Sequence, residues 1–235
     1  MFLMRFDMRA PGCEGAELAR LYEEAVKMSV WGESRGCMSV VLSEHHASED
    51  GYLPAPLLLA SAIAANTRTM PIQIAALLLP LYDPVRVAED MTILDILARG
   101  RVSYVLGLGY RPEEYDLFGV PMKGRGRRME QWVETIRRAW SGESFEFEGR
   151  HVQITPRPFS PSGPMLMMGG NTERAAQRAA RLGVGFLSEG GKPELEAVYL
   201  EACRKEGRDP EVVIVPPGGT VTCAFVATDP DQAWQ

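Results

Sequence analysis

Histidine is scarce in this chain, with three in 235 residues, and two of the three stand side by side as His45 and His46. Cysteine is nearly as scarce. Cys13, Cys37, Cys203 and Cys223 are scattered with no C-x-x-C pair, so neither a zinc site nor a disulfide framework is suggested, and a reducing compartment fits best. Positive charge is not in surplus: a net charge of −6 and a pI near 5.3 leave few cations to neutralise a nucleic-acid backbone, so nucleic acid is set aside as the main partner. No apolar run is long enough to span a bilayer, since the longest, Met70 to Tyr82, contains Gln73 and two prolines. Arg5, Asp7 and Arg9 fall where a signal peptide would need its apolar core. A cytoplasmic protein with no membrane segment is the expectation.

What is present is an alternation. Strand-like runs over 2–8, 38–43, 72–79 and 101–109 are each followed by a run with helical spacing, over 17–34, 56–67, 85–100 and 127–142. The rhythm breaks at about 143–164, where FEFEG and HVQIT read as a small hairpin and a proline-rich loop follows. It resumes with strands at 165–170 and 184–189, helices at 172–183 and about 193–206, and a seventh strand candidate at 220–229. Asp229 and Pro230 then look like the N-cap and first residue of another helix. Repeated β/α steps without hairpin signals predict parallel strands joined by right-handed crossovers. Seven such steps fit a (β/α)8 TIM barrel, a fold of roughly 250 residues, that lacks its last β/α unit in this chain. The whole of 1–235 then reads as one barrel domain with an insertion. An open doubly wound sheet is the competing fold, but no G-x-G-x-x-G follows the first strand.

Barrels of this kind carry their chemistry at the C-terminal ends of the strands. His45 and His46 stand where the second strand runs out. Side chains alternate along a strand, so His45 shares a face with Val41 and Ser43, His46 with Leu42 and Glu44, and only one imidazole points into the barrel mouth. The same divergence disfavours a metal held by both rings, and no H-x-H or H-E-x-x-H spacing occurs. RPEEYDLFG (111–119) reads as solvated loop. Trp31, Trp132 and Trp140 read as packing residues within helices, and Met165, Met167 and Met168 as core or pocket wall.

Five stretches in order, SEHHASEDGYLPAP, IQIAALLLPLYDPVRVAEDMTILDILARGR, GLGYRPEEYDLFGV, GRRMEQWVETIRRAW and MLMMGGNTERAAQRAARLG, resemble the luciferase-like monooxygenases, barrel enzymes that use flavin or deazaflavin. The resemblance runs from residue 1 to about 229. It implies that His45 is the acid/base, an imidazole being able to exchange protons near neutral pH, and that His46 belongs to the same rim. It implies a cofactor ring lying on strand three at Ala75 and Ala76, with a cis peptide between them, and apolar surface from Leu77, Leu78 and Leu79.

The resemblance further places the cofactor phosphate near the ends of strands four and five, at Gly107 and at Gly169-Gly170-Asn171-Thr172. Glycines before a helix N-terminus offer free N–H groups to an anion. Read from residues alone, GGNT equally makes a tight turn with Asn171 or Thr172 as N-cap. Arg127 and Arg128 both stand open as the counter-charge. Where bacterial luciferase has an arginine just after strand four, this chain has Gly107-Leu108-Gly109.

The function implied is an oxidoreductase that takes reduced FMN from a separate reductase, with O2, to oxygenate a small organic substrate. Coenzyme F420 with hydride transfer is the alternative on the same barrel, and a non-catalytic flavin-binding relative is a third reading. A homodimer is expected from the family and from the apolar second and third helices.

Overall fold

The structure is a computed structural model that describes residues 2–219, together with 224 and 229. Strands β1 (Phe2–Phe6), β2 (Cys37–Leu42), β3 (Ile72–Leu77) and β4 (Val102–Leu106) alternate with helices α1 (Gly15–Glu33), α2 (Pro56–Asn66) and α3 (Pro84–Ala98). A short helix α4 (Pro112–Leu117) precedes α5 (Arg125–Trp140), and a two-stranded antiparallel hairpin, β5 (Phe145–Phe147) with β6 (Arg150–Val152), follows. Then come β7 (Met165–Gly169), α6 (Glu173–Leu182), β8 (Gly185–Leu187), α7 (Glu194–Lys205) and β9 (Val213–Ile214). The main sheet is parallel throughout, in the order β1-β2-β3-β4-β7-β8-β9.

Local chemistry sets several boundaries. Asp83 caps α3 by accepting from the N–H groups of Val85 and Arg86 at 2.9 and 3.1 Å, with Pro84 in the first helical position. The same helix ends where Arg99 and Gly100 turn left-handed, at φ 52° and 78°. Helix α6 buries Ala175, Ala176, Ala179 and Ala180 on one face, and these small residues seat it close against the sheet.

Both faces of the sheet are covered. Outward, Leu42, Ile74, Tyr104, Leu106 and Phe186 pack under the helices. Inward, Val41, Ala75, Val105 and Met167 form a second cluster with Ala76 and Leu187. The inner cluster exists because the sheet curls. In a flat sheet, five spacings of about 4.8 Å would hold β1 and β8 roughly 24 Å apart. Yet Arg5 on β1 makes a 3.3 Å ion pair with Glu189, just past β8.

One expectation lies outside the described residues, and three need correction. The seventh strand of the described sheet is Val213–Ile214, while the 220–229 candidate and the helix start at Pro230 fall outside the described residues, apart from 224 and 229 singly. Residues 112–117 form a helix rather than loop, opened by Pro112 at its first position. Trp31 is exposed on α1 with the Arg35 guanidinium 5.7 Å from its ring, whereas Trp132 and Trp140 are held inside by bonds to the Tyr82 and Ala88 carbonyls. Met165 is likewise exposed, with Met167 and Met168 buried.

Candidate active site

A cavity of about 750 Å³ opens at the C-terminal ends of the strands. Its floor is apolar and thin: Ala75, Ala76, Val105 and Leu187 line it, and the Ala75–Ala76 peptide is cis. Gly107 lies against the floor so closely that a Cβ there would come within 2.8 Å of the Ala76 Cβ. Register along β3 shifts between Ala75 and Leu77, so both alanines face the cavity and the alternation resumes one residue late. Leu77 is thereby turned into the outer core, contrary to expectation, and Leu78 lines the cavity in its place.

One end of the cavity gathers helix starts and cations. The starts of α5 and α6 both reach it, through Gly124 and Gly126 on one side and Gly169, Gly170, Asn171 and Thr172 on the other. Thr172 is the N-cap of α6 and accepts from the Ala175 N–H. A Cβ on Gly170 would meet the Ala175 Cβ at 2.6 Å, so glycine lets the turn sit against the helix. The cations here are Arg125, Arg174 and Arg178. Arg127 is exposed and Arg128 donates to the Pro121 carbonyl, and neither lines the cavity. The glycine-rich KGRGRR stretch gives no alternation from which to read that Arg125, the first of its three arginines, is the one at the helix start. The buried Arg125 Nε has no hydrogen-bond partner among the described residues, a donor that a bound anion would satisfy. Arg178 is steadied by Glu130 at 2.9 Å.

The two histidines part as alternation requires. His45 lies on the cavity wall; its Nδ1 is 2.8 Å from Glu114 Oε1, and the rings of Tyr52 and Tyr110 stand edge-on to it at 4.8 and 5.6 Å. A carboxylate only accepts, so in the neutral imidazole Nδ1 carries the proton and Nε2 the lone pair. Glu114 is fully buried, also accepts from the His46 backbone N–H at 3.0 Å, and has Arg111 Nη1 at 3.9 Å. The Tyr115 hydroxyl donates to the Leu108 carbonyl and so pins α4 to the end of β4.

His46 turns behind the sheet. Its Nε2 meets Glu44 Oε1 at 2.8 Å, and its ring stands edge-on to Phe118. Buried Glu44 also accepts from the Tyr82 hydroxyl at 2.5 Å and the Leu78 N–H at 2.7 Å, tying the end of β2 to the end of β3. Burial, reinforced by the Glu44 charge, pushes the Tyr82 phenol well up, so it remains a donor. His46 and Glu44 thus brace the cavity floor without lining a cavity by way of the histidine.

Sequence reasoning weighs Glu113 and Glu114 as catalytic carboxylates but favours a solvated loop, and it misses Glu44, Arg125, Arg174 and Arg178. Pro112 followed by two glutamates is a helix-start signal, and it was available. Strand alternation puts Glu44 on the outward face, yet it reaches the cavity lining, buried with its hydrogen-bond partners.

Comparison with known proteins places this geometry. A family model described as luciferase-like monooxygenase matches residues 4–235. The alkanal monooxygenase alpha chain of Photorhabdus luminescens is 27% identical over 195 residues, covering 78% of this chain and 54% of that protein. Among solved structures, the monooxygenase RslO1 of Streptomyces bottropensis superposes with a TM-score of 0.78 at 25% identity, over 90% of this chain and 69% of that one. The oxygenating constituent of 3,6-diketocamphane monooxygenase from Pseudomonas putida, solved in complex with FMN, superposes with a TM-score of 0.77 at 20% identity, over 89% and 64%. The chain spans about half the length of the curated relatives it matches.

Proposed function

Since the chain belongs to the luciferase-like monooxygenase family, we propose that it is an oxidoreductase that binds reduced FMN in the 750 Å³ cavity and oxygenates a small organic substrate with O2. The observation that carries the reading is the pairing of an apolar floor with an anion site of two helix starts and three arginines, at opposite parts of one cavity. That is the shape of a planar ring ending in a phosphate, and the volume lies within the range of roughly 300–1,000 Å³ usual for small-molecule and cofactor sites. A structure sharing the fold holds FMN, which supports the choice of cofactor.

When bound, reduced flavin supplies the electrons that activate O2. The protein's own residues do the rest. Arg125, Arg174, Arg178 and the α5 and α6 starts hold the phosphate. Ala75, Ala76, Val105 and Leu187 receive the ring and exclude water. Glu114 fixes the His45 imidazole so that Nε2, at the cavity wall, takes or returns the substrate's proton, while Tyr52 and Tyr110 hold the ring's plane. Closure of the curled sheet into an eight-stranded barrel, by a strand between β9 and β1, belongs to the same proposal, as does supply of reduced FMN by a separate reductase.

Anaerobic titration with reduced FMN and, in parallel, reduced F420 tests the cofactor. Tight binding of FMN over F420, followed by O2 uptake on aeration, is expected. Preference for F420 without O2 uptake would replace oxygenation by hydride transfer, and binding of neither would refute the proposal.

A further inference from the structure

A second hollow of about 770 Å³ adjoins the cavity just described and shares His45, Tyr52 and Tyr110 with it as a common wall. Arg9, Ser48, Arg111 and Glu113 supply most of its remaining lining, and none of the glycines or arginines of the anion site takes part. We infer that this hollow is the organic substrate's site and that it selects a planar aromatic ring bearing a carboxylate or similar anionic group. The inference rests on the flavin reading of the neighbouring cavity. With the cofactor there, the reacting carbon of a substrate must lie next to the shared wall, and His45 is the proton-exchanging group on that wall.

The aromatic preference follows from the rings. Tyr52 and Tyr110 stand nearly perpendicular to the His45 imidazole, at 85° and 76°, and Tyr110 is 72% exposed. Three rings meeting edge to face at the mouth of a hollow form a wall to which a fourth planar group can add by stacking or edge contact, and so cover the open Tyr110 ring.

Of the two guanidinium groups in the hollow, that of Arg111 carries the anionic preference. Arg9 is held by Asp7 through Nε and Nη2 at 2.9 and 2.7 Å, which sets it 5.7 Å from the centre of the Tyr52 ring. Arg111 donates instead to two neutral carbonyls, of His46 at 3.1 Å and Ala47 at 3.4 Å, and its nearest carboxylate oxygen is 3.9 Å away on Glu114. Carbonyls satisfy its N–H groups without cancelling its charge. The Ser48 hydroxyl is engaged by Asp50 at 2.5 Å, and Glu113, an exposed side chain, is the one carboxylate in the lining. Asp7 offsets the Arg9 charge, so the attraction for a ligand carboxylate rests on the planar fork of Arg111, which Glu114 faces from 3.9 Å, beyond hydrogen-bond range.

Calorimetric titration of the full chain, with and without FMN, tests this with three probes: 4-hydroxybenzoate, its neutral amide 4-hydroxybenzamide, and the non-planar cyclohexanecarboxylate. The expected result is that 4-hydroxybenzoate binds about tenfold tighter than either of the others. Arg111→Met should erase the preference over the amide, and Tyr110→Leu the preference over cyclohexanecarboxylate. Arg9→Met, whose side chain bonds no backbone carbonyl, should leave FMN affinity within about threefold. Equal binding of all three probes, binding of none while FMN still binds, or a preference over the amide that survives Arg111→Met would overturn the inference. Probe preference intact with no FMN binding would overturn the flavin reading and leave the selectivity of the hollow standing.

Discussion

At the scale of single residues, the account turns on Glu114 as the group that sets the His45 tautomer. Nitrogen-detected NMR of the histidine ring should show Nδ1 protonated and Nε2 bare in the wild type. Glu114→Gln keeps an acceptor and should keep that tautomer, whereas Glu114→Ala should yield a mixture and cost about 1–3 kcal/mol of stability, because the His45 and His46 donors lose their acceptor. The same tautomer in all three proteins would remove Glu114 from the site. His45 was legible in the sequence because strand alternation is a strict rule of geometry, and it separates neighbouring histidines without any knowledge of the rest of the fold. Its partner was not legible, being 69 positions away on a helix of six residues that reads as polar loop. The anion site divides in the same way. Glycines before an amphipathic run announce a helix start, but which of Arg125, Arg127 and Arg128 faces inward depends on the rotation of α5, which is set by packing of Met129, Val133 and Ile136.

At the scale of elements, one carboxylate holds the turn from α2 into β3. Glu33, the last residue of α1, accepts through Oε1 from the N–H groups of Arg68, Thr69 and Met70 at 2.6 to 2.9 Å and from the Thr69 hydroxyl at 3.1 Å. Burial pushes its carboxyl up, but the backbone bonds together outweigh that and hold it below the ordinary glutamate value of 4.5. A carboxyl depressed in the folded state contributes stability that is fully present above its unfolded value and is lost as the pH falls through the folded one. Glu33→Gln should therefore lower stability near neutrality by about 1 kcal/mol, a modest figure because the group is partly solvated. It should also flatten the loss of stability below pH 4.5. Denaturant unfolding at a series of pH values checks both, and parallel wild-type and variant curves would contradict the assignment. The alternation of strands and helices was legible because each helix carries an apolar face and each strand a continuous apolar run. The short β8 lies inside the strand expected at 184–189, whereas β9 was not legible, since two residues are too few for a period to show.

At the scale of the whole molecule, the curl of the sheet is what brings β1 and the end of β8 together and creates an inner cluster on which a cofactor can rest. Parallel order was readable from the connections. The curl was readable only through the count of β/α steps, because it is a property of many strands at once. Among the described residues, no helix is long and apolar enough to cross a membrane. Helix α2 has no charged residue and leaves Leu58 74% exposed, beside α3 with Ile93 and Leu97 exposed. The homodimer expected from the sequence would bury these exposed apolar residues. Sedimentation should show a dimer that Leu58→Glu with Ile93→Lys converts to monomer, and a monomeric wild type would contradict the pairing. The claim on which the rest depends is that the two helix starts and Arg125 hold a phosphate at one end of a flavin. The most direct measurement is the equilibrium affinity for reduced FMN against reduced riboflavin, which differ only in that phosphate, in wild type and Arg125→Gln. The account predicts FMN tighter by about tenfold or more in the wild type, with the gap narrowed by the variant. Equal affinity for the two flavins would contradict it.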